Sequence, residues 1–265
     1  MQERLDRGKR RLLLKEDQAW IGRPFEMDSN LRGVQANTRH IALMLRDSHI
    51  KRRASRAAAF AAKLLDGTLA KKTQGPVACA KGCYYCCKTY VSVTIPEILH
   101  LAHAVRGQAE KTARVNAAAD ESKLIAQDQR EKTRVVCPIL EAKVCSEYAP
   151  RPLVCRAVLS TSLDACLRIF ERNSGEMVPF AGGTVDIRAY VVVMMQAALK
   201  LGGFSHVHYE MNQALAVALN HADAEERWLA GAPLFAEVPV DTADLRRGGL
   251  SAMMDALVEN VGPTL

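Results

Sequence analysis

Apolar residues in this chain fall three and four positions apart far more often than they alternate with polar ones, which is the signature of helices packed on one face. Leu31, Val34, Ile41 and Leu45, then Phe60 and Leu64, predict one long or two shorter helices over 29–66, with Gly67 as the stop and the basic stretch 51–56 exposed between them. "TIPE" at 94–97 is a capping box, with Thr94 as N-cap, Glu97 three residues on and Pro96 tolerated in the first turn. It opens a helix to about 105 that Gly107 ends. A polar helix follows over about 108–130, patterned by Ala113, Val115, Ala118, Leu124 and Ile125. Beyond a helix at 161–172 and a turn at 173–176, Ile187, Tyr190, Val191, Met194, Met195 and Ala198 form one apolar stripe, and Met211, Leu215, Ala218 and Leu219 form another. A helix over 223–231, capped by Asp223 with Glu226 and closed by Gly231, and a last one over 251–260 complete the pattern.

One stretch breaks the helical period. Between 131 and 160, "CPILEAKVCSEYAPRPLVCR" carries three prolines and predicts a short hairpin followed by extended or turn structure. The fold class expected is therefore mainly α: a helical domain with a small irregular cysteine-rich region containing a short hairpin. Three stretches follow, packed as one unit: a basic helical segment over 1–74, the cysteine region over 75–170 and a helical part over 171–265. Abundant alanine and an aromatic content of 5% agree with this.

Charge adds little. The formal net charge is +7, which admits nucleic acid, anionic lipid or an acidic protein. Much of the excess lies in "RGKRR" (7–11) and "KRRASR" (51–56), a pattern solvated helix faces also show. Nucleic-acid binding has the charges but lacks the interleaved aromatic residues that stack on bases. No stretch of eighteen uncharged apolar residues exists, so no membrane span is expected. The first twenty residues hold only the three leucines at 12–14 as an apolar run, short of a secretory signal. The expected location is the cytoplasm, where thiols stay reduced and cysteines are not read as structural bridges.

Cysteine usage then becomes the main signal. The eight cysteines stand at 79, 83, 86, 87, 137, 145, 155 and 166. "CAKGCYYCC" followed by C-P-x6-C-x9-C-R has the spacing of thiolates wrapped around an ion, with Gly82 available for the turn. Disulfide redox chemistry and reduced core thiols are the alternatives. Cys79, Cys83, Cys86, Cys87, Cys137, Cys145 and Cys155 are the candidate metal ligands. Adjacent side chains diverge on a strand or a helix, so Cys86 and Cys87 do not readily clamp one ion. Cys79, Cys83 and Cys86 are assigned to one site, with Cys87 reaching a second ion or joining Cys137, Cys145 and Cys155. Thiolate–metal centres are anionic, so Lys81, Lys88, Arg151 and Arg156 are candidate stabilising cations. Tyr148 is a candidate donor to a sulfur, and Pro138 and Pro152 stiffen ligand-bearing turns. Cys166, on an apolar helix face, reads as a packed thiol.

With these residues the segment 79–156 resembles the YkgJ-type cysteine-cluster family of zinc- or iron-chelating domains. That family's pattern is a C-x(2,3)-C-x2-C-C group, then Cys-Pro-aliphatic, a later Cys, an aromatic, Arg-Pro and Cys-Arg. Pro138, Tyr148, Arg151, Pro152 and Arg156 all find places in it, "VSVTIPEILHLA" resembles its strand and helix, and Cys166 lies outside it. The resemblance implies bound zinc or iron, an iron–sulfur cluster being one form of the latter, and no assigned reaction.

Two function classes stand at this point. The first is a metal-binding protein that works with or on a protein partner. The second is an iron–sulfur enzyme using S-adenosylmethionine to modify a protein. C-x3-C-x2-C with Tyr85 before the third cysteine resembles the radical S-adenosylmethionine signature, and flagellin lysine-N-methylases carry a similar cluster. Against the full radical reading stands the near absence of parallel-strand runs. Among lesser candidates, His100 and His103 in "HLAH" share a helix face. "HVH" (206–208) needs distant partners, the methionine pairs 194–195 and 253–254 read as core, and "AGGT" (181–184) lacks the strand a phosphate loop needs.

Overall fold

The computed structural model describes residues 6–25, 31–126, 129, 132–241 and 249–265. Helices are α1 (Arg7–Asp17), α2 (Leu31–Arg46), α3 (Arg53–Lys72), α4 (Ile95–Val105), α5 (Ala109–Lys123), α6 (Leu153–Arg156), α7 (Leu163–Glu171), α8 (Thr184–Gly202), α9 (Met211–Asn220), α10 (Ala224–Leu229) and α11 (Leu250–Val261). Strands are two or three residues long. β1 (Ser92–Val93), β4 (His208–Glu210) and β5 (Val240–Asp241) form one antiparallel sheet in the order β1-β4-β5, and β2 (Leu140–Glu141) pairs with β3 (Val144–Cys145). Every strand pair among the described residues is antiparallel, so the repeated parallel units of radical enzymes are not found there. The mainly helical expectation holds.

α8 is the axis of the helical body. Its apolar stripe puts Ile187, Val191, Met194 and Met195 at 0% exposure, against α2, α3 and α11. α4 lies between α3 and α9, and α5 packs on α9. The core so formed draws on all three sequence stretches, from Ile41 and Leu65 through Ile98 to Leu199 and Leu257. Methionines 194 and 195 are core, as expected; Met254 is buried and Met253 packs partly against it.

Local rules explain several helix starts. The Thr94–Glu97 capping box forms, with the Glu97 side chain accepting the Thr94 N–H at 2.9 Å. Ser162 caps α7 by accepting the Ala165 N–H. Two expectations fail. Gly67 lies inside α3, which runs on to Lys72 because Leu64, Leu65, Thr68 and Leu69 continue its buried face; packing outweighs the cost of a glycine in a helix, about 1 kcal/mol. Asp223 makes no capping hydrogen bond, and the Glu225 carboxylate in the first turn of α10 serves another helix, accepting N–H groups at the start of α3. The polar helix also ends early, at Lys123. Parts of the expected helices, at 29–30, 127–128 and 130, lie outside the described residues.

Buried polar groups tie the helices together. Glu225, 2% exposed, accepts the Ala54 and Ser55 N–H groups, the Ser55 hydroxyl at 2.6 Å and His103 Nε2 at 2.7 Å, joining α10 to α3 and α4. Glu210 accepts the Asn212 and Gln213 N–H groups at the start of α9 and the Ser122 hydroxyl from α5. No helix among the described residues is long and apolar enough to cross a membrane.

Candidate metal centre

Each cysteine is placed by short, local devices. The strand-like 74–78 stretch is held by a backbone bridge from Gln74 to Gly182 and by the Ala78 N–H to Ser160 oxygen bond at 2.8 Å, which sets Cys79 against 158–160. Gly82, with φ at +91°, turns the chain back so that Cys83 can follow. Cys86 and Cys87 lie in a 3-10 turn (Tyr85–Lys88), where neighbouring side chains diverge by about 120°. The Cys137 N–H donates to the Cys87 carbonyl at 2.8 Å, joining the first cysteine group to the second.

Cys145 ends the predicted hairpin, whose turn residues Ala142 and Lys143 both have positive φ, the twist a two-residue hairpin requires. Cys155 lies in α6, a short helix where turn structure was expected. Glu97 accounts for it. The same carboxylate that caps α4 accepts the Leu153 N–H at 2.9 Å, starting a helical turn two residues before the cysteine. Arg156 fastens the other end: it is 4% exposed, donates to the carbonyls of Arg151 and Ala149 and pairs with Asp66 of α3.

All eight cysteines are free thiols. Electrostatic interaction sorts them into two sets. Cys79 and Cys83 interact with each other, with Cys86 and with Cys166. Cys137, Cys145 and Cys155 interact with one another, and Cys137 and Cys155 also with Cys86. Cys86 touches both sets and is hydrogen-bonded to Cys87. Cys166 is buried, in a small cluster with Ala165, Ile169 and Phe170 against which Tyr85 and Cys86 pack. The packed-thiol expectation for Cys166 is therefore met, yet the same packing brings it to the first cysteine group. Nothing in its local sequence could signal this, because only the docking of α7 on the 3-10 turn creates the proximity.

No three His, Cys, Asp or Glu side chains among the described residues are gathered ready to hold a cation. What is in place is the surroundings of the sulfurs. Backbone N–H groups point at them: Ser160 at Cys79 (3.3 Å), Tyr85 at Cys83, Ile139 at Cys137, and Glu147 at Cys145. Three of these follow one rule, the N–H two residues beyond the cysteine turning back to its own sulfur.

Burial pushes the thiols of Cys79, Cys83, Cys145 and Cys155 up, and Cys137 up to about 11. Cys155 keeps some surface as a residue, but its sulfur end is enclosed. For Cys86 the hydrogen bond to Cys87 comes first, then burial. Arg151 acts the other way, lowering the thiols of Cys79, Cys86, Cys145 and Cys155. Its Nε is buried and has no hydrogen-bond partner, and its guanidinium stacks 3.8 Å from the centre of the Tyr148 ring.

The other sequence candidates take different places. Tyr148 is 60% exposed and makes no hydrogen bond to sulfur among the described residues. Lys88 pairs with Glu171 at 2.6 Å and Lys81 is exposed, so neither is committed to the sulfurs. His103 is taken by Glu225, and burial lowers the basicity of His100. His208 lies in the three-stranded sheet, and "AGGT" begins α8, with Gly183 at φ +79° as its N-cap.

This donor set suits a soft or borderline cation bound through sulfur. Residues 78–174 match the family model CxxCxxCC, whose description reads "Putative zinc- or iron-chelating domain". That range takes in all eight cysteines, Cys166 included, where the sequence pattern alone stops at 156. It covers less than half of the chain and leaves the helical body unassigned. No curated protein and no solved structure matches the chain.

Proposed function

We propose that the cysteine region is a zinc or iron centre built from eight thiolates at two neighbouring four-sulfur sites. Cys79, Cys83, Cys86 and Cys166 form one, and Cys87, Cys137, Cys145 and Cys155 the other. The thiols of the adjacent pair Cys86 and Cys87 are hydrogen-bonded to each other, so in this reading the pair stands at the join of the two sites and gives one ligand to each. The observation that carries the reading is the array of backbone N–H groups aimed at Cys79, Cys83, Cys137 and Cys145, with the unpartnered Arg151 Nε among the same sulfurs. Neutral thiols have little use for so many donors, whereas thiolates are stabilised by them. Two divalent ions on eight thiolates leave a net charge of about −4, which the half-buried guanidinium of Arg151 partly offsets.

The bound metal supplies the closing energy for a segment whose own apolar cluster is small. Where the ion is iron, the same thiolates are ligands of the kind that hold iron–sulfur clusters.

Anaerobic purification followed by elemental analysis and visible absorption tests this. Two colourless equivalents per chain are expected for zinc, one ion to each site, whereas iron–sulfur clusters would give visible colour and two or four irons per site. Cys83→Ser and Cys166→Ser each lose the content of one site, and Cys145→Ser loses that of the other. Full content in Cys166→Ser removes it from the ligand set, and a metal-free wild-type chain ends the proposal.

A further inference from the structure

A cavity of about 20 Å³ lies beside Cys137, between the end of α5, the start of α9 and the residues that follow the twin-cysteine turn. It has room for one particle of water's size, since a single water needs about 10–15 Å³. Its wall carries the Glu210 carboxylate, the Asn212 amide, the hydroxyl side chains of Thr89, Ser122 and Thr133, and Cys137. No lysine, arginine or histidine stands on it among the described residues.

Two groups on this wall are left incomplete by the chain itself. Glu210, 2% exposed, accepts the Asn212 and Gln213 N–H groups and the Ser122 hydroxyl, all neutral donors, and pairs with no cation. The positive end of α9 is worth about half an elementary charge, so about half of the carboxylate's own stays unanswered in a buried place. Asn212, 7% exposed, gives a second and independent sign: its side-chain oxygen is buried and has no hydrogen-bond partner. Acceptors without donors beside a carboxylate without a cation match an alkali ion, which is held by oxygens that replace its water shell and does not need the several carboxylates of a calcium site.

We propose that this cavity holds one monovalent cation of about water's size, potassium or ammonium, with the Glu210 carboxylate supplying the charge and Asn212 Oδ1 a neutral ligand. The ion is separate from the metal proposed at the sulfurs and does not depend on it. Its place puts positive charge beside Cys137 and ties the end of α5 and the start of α9 to the chain leaving the twin-cysteine turn.

Thermal melts of the full-length protein at fixed ionic strength test it, with potassium chloride exchanged stepwise for tetramethylammonium chloride, whose ion is too large for the space. A saturable rise in Tm of roughly 2–4 °C is expected with potassium, and none with lithium. A rise with ammonium chloride alone assigns the site to ammonium instead. Asn212→Leu, close in volume but without the oxygen, abolishes the response and keeps the wild-type circular dichroism and metal content. Glu210→Gln abolishes it too; because Glu210 caps α9, its baseline Tm is compared separately from its response to the salt. In crystals grown with rubidium, a potassium substitute that scatters anomalously, one peak is expected in the cavity. A Tm indifferent to both water-sized cations, an unchanged response in Asn212→Leu, or a water only in the cavity overturns the proposal. If Asn212→Leu fails to fold, the rubidium peak decides.

Discussion

The helical body and the cysteine region solve the stability problem in opposite ways. In the body, Ile41, Leu45, Leu65 and Met194 are at 0% exposure, and the buried Glu225 carboxylate is met by four donors. In the cysteine region seven of the eight cysteines remain half-buried, the strands have two residues each, and the local apolar cluster comprises Ala165, Cys166, Ile169 and Phe170. The body closes on hydrocarbon alone. The other region has its backbone donors and its cation in place around sulfurs and lacks the apolar surface to hold itself shut, which is the condition under which a metal contributes folding energy.

The contrast can be broken in several ways, the largest effect first. Removing the metal with a strong chelator under reducing conditions is expected to withdraw on the order of 10 kcal/mol from the cysteine region. Limited proteolysis should then cut within 79–90 or 132–174 while the far-ultraviolet helical signal of the body persists; loss of both together would show one cooperative unit. In the body, Leu65→Ala should cost about 3 kcal/mol in a denaturant melt and leave metal content unchanged in the folded fraction.

Glu225→Gln should cost about 2 kcal/mol, since it removes the charge on which Ala54, Ser55 and His103 converge. Burial alone would raise this carboxyl, but the hydrogen bonds from His103 and Ser55 outweigh it and hold it below its ordinary 4.5. Its contribution is present above that value and is lost as pH falls through the depressed one. The melting temperature of the wild type should therefore drop faster than that of Glu225→Gln in acid.

The metal-free chain should show the reverse dependence. Cys137 rises from 9.0 to about 11 on burial, so its contribution is complete below 9.0 and lost as pH climbs towards about 11. Melts of metal-free protein from about pH 8 to 10 should fall, and less so in Cys137→Ala. Least of all, Lys88→Ala breaks a surface pair with Glu171 and should shift stability by under about 1 kcal/mol with full metal content retained.

How much of this was legible in the sequence varies with the range of the interaction. The Thr94–Glu97 cap, the hairpin before Cys145 and the stripes of α8 and α9 depend on neighbours within a few residues, and they are found where the pattern puts them. Gly67 misled because a helix with a continuous buried face overrides a weak breaker. α6 was missed because its start is a hydrogen bond from the Leu153 N–H to Glu97, 56 residues away. Cys166 was set apart for the same reason, its neighbours in space being distant in the chain. Arg151 and Arg156 looked alike in the motif, yet the structure gives them different tasks: one lies among the sulfurs, the other pairs with Asp66.

That last pairing has a consequence for how the centre is loaded. Because Arg156 is clamped to α3 and Leu153 to the cap of α4, Cys155 is held by the body before any ion arrives. Cys79 is moored too, through the Ala78 and Ser160 hydrogen bonds, but to the neighbouring 158–160 stretch rather than to a long helix. An incoming ion thus meets one jaw bolted to the body and another fastened only to a loop beside it.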